Sequence, residues 1–284
     1  MNENKLNIKY QYRSVSGNNL LCDDDHLNED AVSVGRACAI VVDGATPLFI
    51  DNDTLGLVAK FSSRLASDLN NNFLQDQALA RCVFDTRDAM ANDFISPNQV
   101  DPPSASLAAA VIGEEKINYI VIGDCKFVRI PASGGESIVF DERLPDLNRK
   151  STLELKKLQD SGVSHKDAVS QCMGLQKLHR INETTRGGGM SLSATVNQIP
   201  VFLEGEFFTH SGDRILLCSD GFSRLVDTYK TFLTYRDLAD NISQFGIDSI
   251  IKKLREIEDN DSECRVYPRM KKSDDASCVL IEIK

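Results

Sequence analysis

Residues 37–44 read Ala-Cys-Ala-Ile-Val-Val-Asp-Gly. The run is apolar, rich in β-branched residues, and stops at an Asp-Gly pair. It therefore predicts a strand that ends on a carboxylate, Asp43, with Gly44 beside it. Two further runs repeat the pattern: YIVIGD ends on Asp124, and RILLCSDG places Asp220 before Gly221. Two acid pairs flank strands from the other side: Glu29-Asp30 in NEDAVSV, and Asp274-Asp275 in DDASCVLIEI. A lone Asp-Gly after a strand is usually a turn. Five such sites in one chain weaken that explanation. Their spread from residue 29 to residue 275 leaves convergence to the tertiary structure.

Other strand-like runs are LNIKYQYR near the N-terminus, SLAAAVIG, KFVRIP and VFLEGEFFTH further on, and SCVLIEIK at the end. Two helical patterns lie between the first and second strand groups. Leu57, Phe61, Leu65 and Leu69 recur at i+4 beside Val58; Leu79, Val83, Met90 and Phe94 continue that type of face. SPNQVDPPS ends the pair, because proline removes a donor and disfavours helix before it. Ile247, Ile250, Leu254 and Ile257 mark a late amphipathic helix. Residues 141–200 differ. They are polar, helix-prone over 151–160 and 166–182, then glycine-rich at Gly187, Gly188 and Gly189, and read as an insertion or flap. This order fits an α+β layered fold better than strict βαβ alternation, as one domain over 1–284. The last strand requires long-range pairing.

Composition narrows the function. With 42% hydrophobic and 26% charged residues over 284 positions, the chain has ordinary globular composition and can bury a core without staples. The net charge of −10, from 42 acids and 32 bases, argues against a general nucleic-acid binder. No run is long and apolar enough for a membrane span, and the N-terminus lacks the apolar core of a signal peptide, so a cytoplasmic protein is expected. Eight scattered cysteines, without a CxxC pair, suit reduced structural thiols.

Carboxylates repel one another and resist desolvation unless a cation offsets them. Several of them meeting at one sheet end would suit a hard divalent cation, which takes oxygen ligands. Gly44 would let the backbone approach and offer its carbonyl. Competing chemistries lack their residues. No Gly-Lys-Ser/Thr follows Gly187–Gly189, no HExxH or GxSxG occurs, and His165, His179 and His210 have no metal-ligand spacing. The Lys and Arg of 149–186 read as a solvated helix face.

Taken in order, NEDA, VVDG, the small-residue SASLAAA, VIGD, LLCSDG and DDAS resemble the metal-dependent type 2C (PPM) protein phosphatases over about residues 7–283. The resemblance implies a four-layer α-β-β-α sandwich of two packed, mainly antiparallel sheets with a flap. It implies two Mg²⁺ or Mn²⁺ ions, with a third in many members. Asp43 would bridge the metals and Gly44 would supply a carbonyl. Glu29 would ligate the second metal and Asp30 would contact it through water. Asp220 and Asp274 would ligate the first, Asp274 being preferred over Asp275 because it lies three before Ser277. Asp124 and Asp220 would hold the third. The implied reaction is hydrolysis of phosphoserine or phosphothreonine in proteins by in-line attack of a water activated at Asp43 and Asp220 through the metals. The expected protein is a monomer, with a phosphorylated protein as its partner and neither nucleic acid nor membrane.

Three positions depart from the family pattern. Ala45 stands where some members have a general-acid His. Asp25, in an Asp23–Asp25 run, stands where a phosphate-binding Arg is common. Arg224 stands where many members have an Asp four residues after the SDG aspartate. His26 and Arg224 are the candidate substitutes for phosphate binding, with Arg13 and Arg36 as further options. These departures leave two other readings open: a non-catalytic phosphatase-like binding module, and a phosphatase of a small phosphorylated metabolite.

Overall fold

The computed structural model describes residues 7–17, 27–35, 37–48, 56–73, 78–96, 99, 101–174, 190–196 and 199–284, the side chains of 144–149 excepted. Two antiparallel sheets face each other. In the first, strands run β1 (Ile8–Val15), β11 (Ala276–Ile283), β10 (Arg214–Cys218), β6 (Lys126–Ile130), β7 (Ser137–Val139). In the second they run β2 (Ala31–Val34), β3 (Cys38–Gly44), β4 (Ser104–Ile112), β5 (Lys116–Ile122), β9 (Phe202–Phe208), and the short β8 (Leu192–Ser193) also pairs with β4. The C-terminal strand lies between β1 and β10, with Ile8 opposite Ile283 and Cys218 opposite Cys278. This is the long-range pairing expected for it.

Side-chain alternation builds the layers. Along β3, Ala39 and Val41 point to the other sheet, while Cys38, Ile40 and Val42 point outward to helices. Along β10, Ile215 and Leu217 point inward, and Leu216 and Cys218 outward. The inner faces of β3 and β4 are mainly alanine and valine (Ala39, Val41, Ala108, Ala110), which leaves room for Phe127 from the facing sheet. Helices α1 (Leu57–Asn72) and α2 (Leu79–Met90) cover the second sheet with Phe61, Leu65, Leu69 and Val83. Phe94 follows a short 3₁₀ turn and meets Phe61 edge-on, with centroids 5.4 Å apart. Helices α5 (Asp220–Asp227), α6 (Tyr235–Phe245) and α7 (Ile247–Asn260) cover the first sheet. The order α-β-β-α is the one expected.

Several boundaries differ from the sequence reading. Helix α3 (Arg143–Asp160) starts well before 151, where the helix-prone stretch is expected. Pro145 is compatible with this because the first-turn N–H groups have no helical partners. A further helix, α4, covers 165–174. The pair packs around Leu155, Ala168, Val169 and Cys172, a cluster separate from the sheet cores. Gly187–Gly189 and His179 lie outside the described residues. The chain rejoins the second sheet at Leu192, which is fully buried in its core. Helix α6 is absent from the sequence reading, although Thr234 and Asp237 form a capping box and Gly246 ends it.

Candidate metal centre

Register places the acids. Ala31 pairs with Val42, so Glu29 and Asp30, just before β2, fall beside Asp43 and Gly44 at the end of β3. The Gly44 N–H donates to the Glu29 carbonyl at 3.2 Å. Asp43 also pairs with Ser106 of β4, and Leu107 with Ile122, which puts Asp124 at the same sheet end. In the facing sheet, β10 ends at Cys218 opposite Cys278, so Asp220 and Asp274 leave from neighbouring strand ends. The two sheet ends meet where the Asp220 N–H donates to Asp43 Oδ2 at 3.3 Å. Two glycines permit this approach. A Cβ on Gly44 would lie 2.5 Å from the Glu29 carbonyl oxygen, and one on Gly221 2.0 Å from that of Asp275.

Electrostatics report the same convergence. Asp43 is pushed well above the usual carboxylate range, first by burial and then by the charges of Asp30, Asp220, Asp124 and Asp274. Asp30 is raised by burial and by Asp275 and Asp274, with the Ser219 and Ser277 hydroxyls opposing. Its Oδ2 is buried with no hydrogen-bond partner among the described residues. Asp220 is pushed up to about 6 by burial, against Arg224 and Lys271, with Asp274 and Asp124 adding to the rise.

Three of the acids also have side-chain donors. Thr46 Oγ1 donates to Glu29, and Ser106 Oγ donates to Asp124 Oδ1 at 2.6 Å. Asp274 is held by two cations. Arg224 donates to its Oδ2 at 2.5 Å and Lys271 to its Oδ1 at 2.6 Å. Burial opposes the charge on Asp274, but Lys271 and Arg224 outweigh it and hold the carboxyl well below its usual range. As the side chains stand, no group of three or more His, Cys, Asp or Glu among the described residues is arranged to hold an ion. The oxygen-only donor set, the partnerless Asp30 Oδ2 and the close backbone cradle at Gly44 suit a hard cation at the Asp43 end. The Asp274 end is filled by the chain's own cations.

Other sequence candidates fall as follows. His26, Asp23–Asp25 and Arg36 lie outside the described residues. Arg13 is paired with Asp248 of α7 on the surface, at 2.6 Å and 3.1 Å. Arg224 faces the acids, 3.6 Å from Asp220 and 2.5 Å from Asp274. Sequence reading missed Lys271, whose only signal was its position three before Asp274. It also missed the part played by Asp275. Asp275 Oδ2 accepts from the Glu29 N–H and its Oδ1 from the Gly17 N–H, both at 2.7 Å. Asp275 thus ties β1's exit and the approach to β2 to the start of β11.

No family model matches the chain, and no curated protein matches it in sequence. Solved structures do. The catalytic domain of the serine/threonine protein phosphatase PstP in complex with two manganese ions superposes with a TM-score of 0.58 at 18% identity, covering 98% of this chain and 99% of that one. PstP/Ppp from Mycobacterium tuberculosis gives 0.57 at 17%, with 98% and 99% covered. Stp1 from Staphylococcus aureus gives 0.57 at 13%, with 100% and 98% covered. The chain therefore has the fold of the PPM-type serine/threonine phosphatases.

Proposed function

We propose that this chain is a divalent-metal-dependent phosphatase acting on phosphoserine or phosphothreonine in proteins. The observation that carries the reading is the convergence of Asp30, Asp124, Asp220 and Asp274 on Asp43 from both sheets. Glu29, Asp30, Asp43 and the Gly44 carbonyl would hold a Mg²⁺ or Mn²⁺ ion. Such an ion supplies acidified water and charge neutralisation at phosphoryl oxygens. The chain's own part is positional. Asp275 holds the Glu29 backbone, Ser106 orients Asp124, and the Asp220 N–H anchors Asp43. A monomer in the cytoplasm belongs to the same proposal. For the cytoplasm, the seven free cysteines buried among the described residues fit a reducing compartment.

The test is hydrolysis of a phosphothreonine peptide and an aryl phosphate by metal-stripped protein with added Mn²⁺. Turnover is expected only with metal, and Asp43→Asn is expected to lower it by about 10³-fold, the scale of losing one electrostatic stabiliser or more. Equal turnover in Asp43→Asn, or turnover in chelator, overturns the proposal. The Arg224 and Lys271 contacts on Asp274 favour one second reading, a binding module that takes up metal without turnover. Mn²⁺ binding with an inert phosphopeptide would select it.

A further inference from the structure

Arg224 and Lys271 come from different elements and share one carboxylate. Arg224 lies one turn after Asp220 on α5, and Lys271 is in the loop before β11. One takes each oxygen of Asp274, and the Asp275 N–H donates to Oδ1 as well, at 3.1 Å. Both cations are largely withdrawn from solvent, with side chains 16% and 24% exposed. A second Arg224 nitrogen, Nη1, is buried without a hydrogen-bond partner among the described residues. At the opposite end of the acid cluster Lys271 also acts on Glu29 through space, but Asp30, 7% exposed, leaves Oδ2 without a hydrogen-bond partner among the described residues.

A carboxylate with a cation on each oxygen has little left to offer a metal. A divalent ion brought to Asp274 would also sit against two fixed positive charges a few ångströms away. At that range like-charge repulsion weakens binding by about a hundredfold or more. The PstP catalytic domain, which shares the fold, is described in complex with two manganese ions.

We propose that Arg224 and Lys271 are built-in counter-ions replacing one divalent cation at Asp274, so that this chain holds a single tight ion, at the Asp43, Glu29, Asp30 and Gly44 end. The proposal rests on the metal-dependent reading above and assigns Arg224 to the acids of the site.

Mn²⁺ titration of the metal-stripped protein, by calorimetry and by the electron paramagnetic resonance signal of free Mn²⁺, counts the ions without reference to activity. One tight ion is expected, with any second at least about a hundredfold weaker. In Arg224→Gln/Lys271→Gln a second ion is expected to tighten at least tenfold, and added Mn²⁺ is expected to raise Tm more than in the parent protein. Two ions of similar affinity in the parent protein overturn the proposal and leave the phosphatase reading standing. A folded double variant that still takes one ion overturns it too. No tight ion in the parent protein overturns both readings. The parent count decides even if the double variant does not fold.

Discussion

Asp275→Ala isolates what holds Glu29 in place. Asp275 is 4% exposed, and both of its oxygens accept a backbone N–H at 2.7 Å, from Gly17 and from Glu29. Truncation strands the buried Glu29 N–H, at about 1–3 kcal/mol, and weakens the partly buried Gly17 N–H, at about 1 kcal/mol. An opposing effect is present. The Asp275 charge pushes up the carboxyl of Asp30, so its removal offsets part of that loss. The net loss is about 1–3 kcal/mol, against at most about 0.5 kcal/mol for an ordinary surface acid. For a chain of this size that corresponds to about 2–5 °C in Tm. Urea unfolding followed by circular dichroism in chelator measures the stability, and hydrogen exchange at the Glu29 amide reads the broken contact. Because Glu29 belongs to the proposed cradle, Mn²⁺ affinity is expected to fall 10–100-fold. A loss below about 0.5 kcal/mol with Glu29 exchange unchanged would refute the reasoning.

Two other perturbations test different parts of the fold. Gly221→Ala would drive a Cβ to 2.0 Å from the Asp275 carbonyl oxygen and is expected to cost about 3 kcal/mol or more, whereas Gly174→Ala, in α4 with nothing within 4 Å, is expected to stabilise by about 0.5–1 kcal/mol; paired chemical unfolding checks the contrast. His165 is held below its usual pKa by burial first and then by Arg269, against Glu263 and Asp261, and its Nδ1 faces the Gln159 amide nitrogen at 3.2 Å. The unfolded chain therefore takes up this proton first, so stability present above about pH 6.5 falls as pH drops below it. His165→Gln is expected to flatten that decline; an unchanged Tm–pH profile counts against it.

Periodicity made much of the architecture legible. The i+4 apolar series of α1 and the β-branched runs of β3, β5, β10 and β11 carry their own geometry, because each must bury one face or both. Helix α6 escaped because its cue was a four-residue cap and a short apolar face, not a long series. The start of α3 escaped because Pro145 reads as a break unless it is known to fall in the first turn.

The site divides in the same way. Local sequence is enough to say which acids flank strands and sit beside glycines, since strand ends and turns are local properties. That placed Glu29, Asp30, Asp43, Asp124, Asp220 and Asp274 on a short list. That they share one end of the sandwich follows from the tertiary structure, because this depends on the pairing of β2 with β3, β10 with β11, and one sheet on the other. It alone separated neighbours that read identically as Asp-Asp: Asp275 turns to backbone N–H groups, and Asp274 to Arg224 and Lys271. Charge complementarity acts through space, over distances of 2.5 and 2.6 Å, between residues that local sequence had no reason to join.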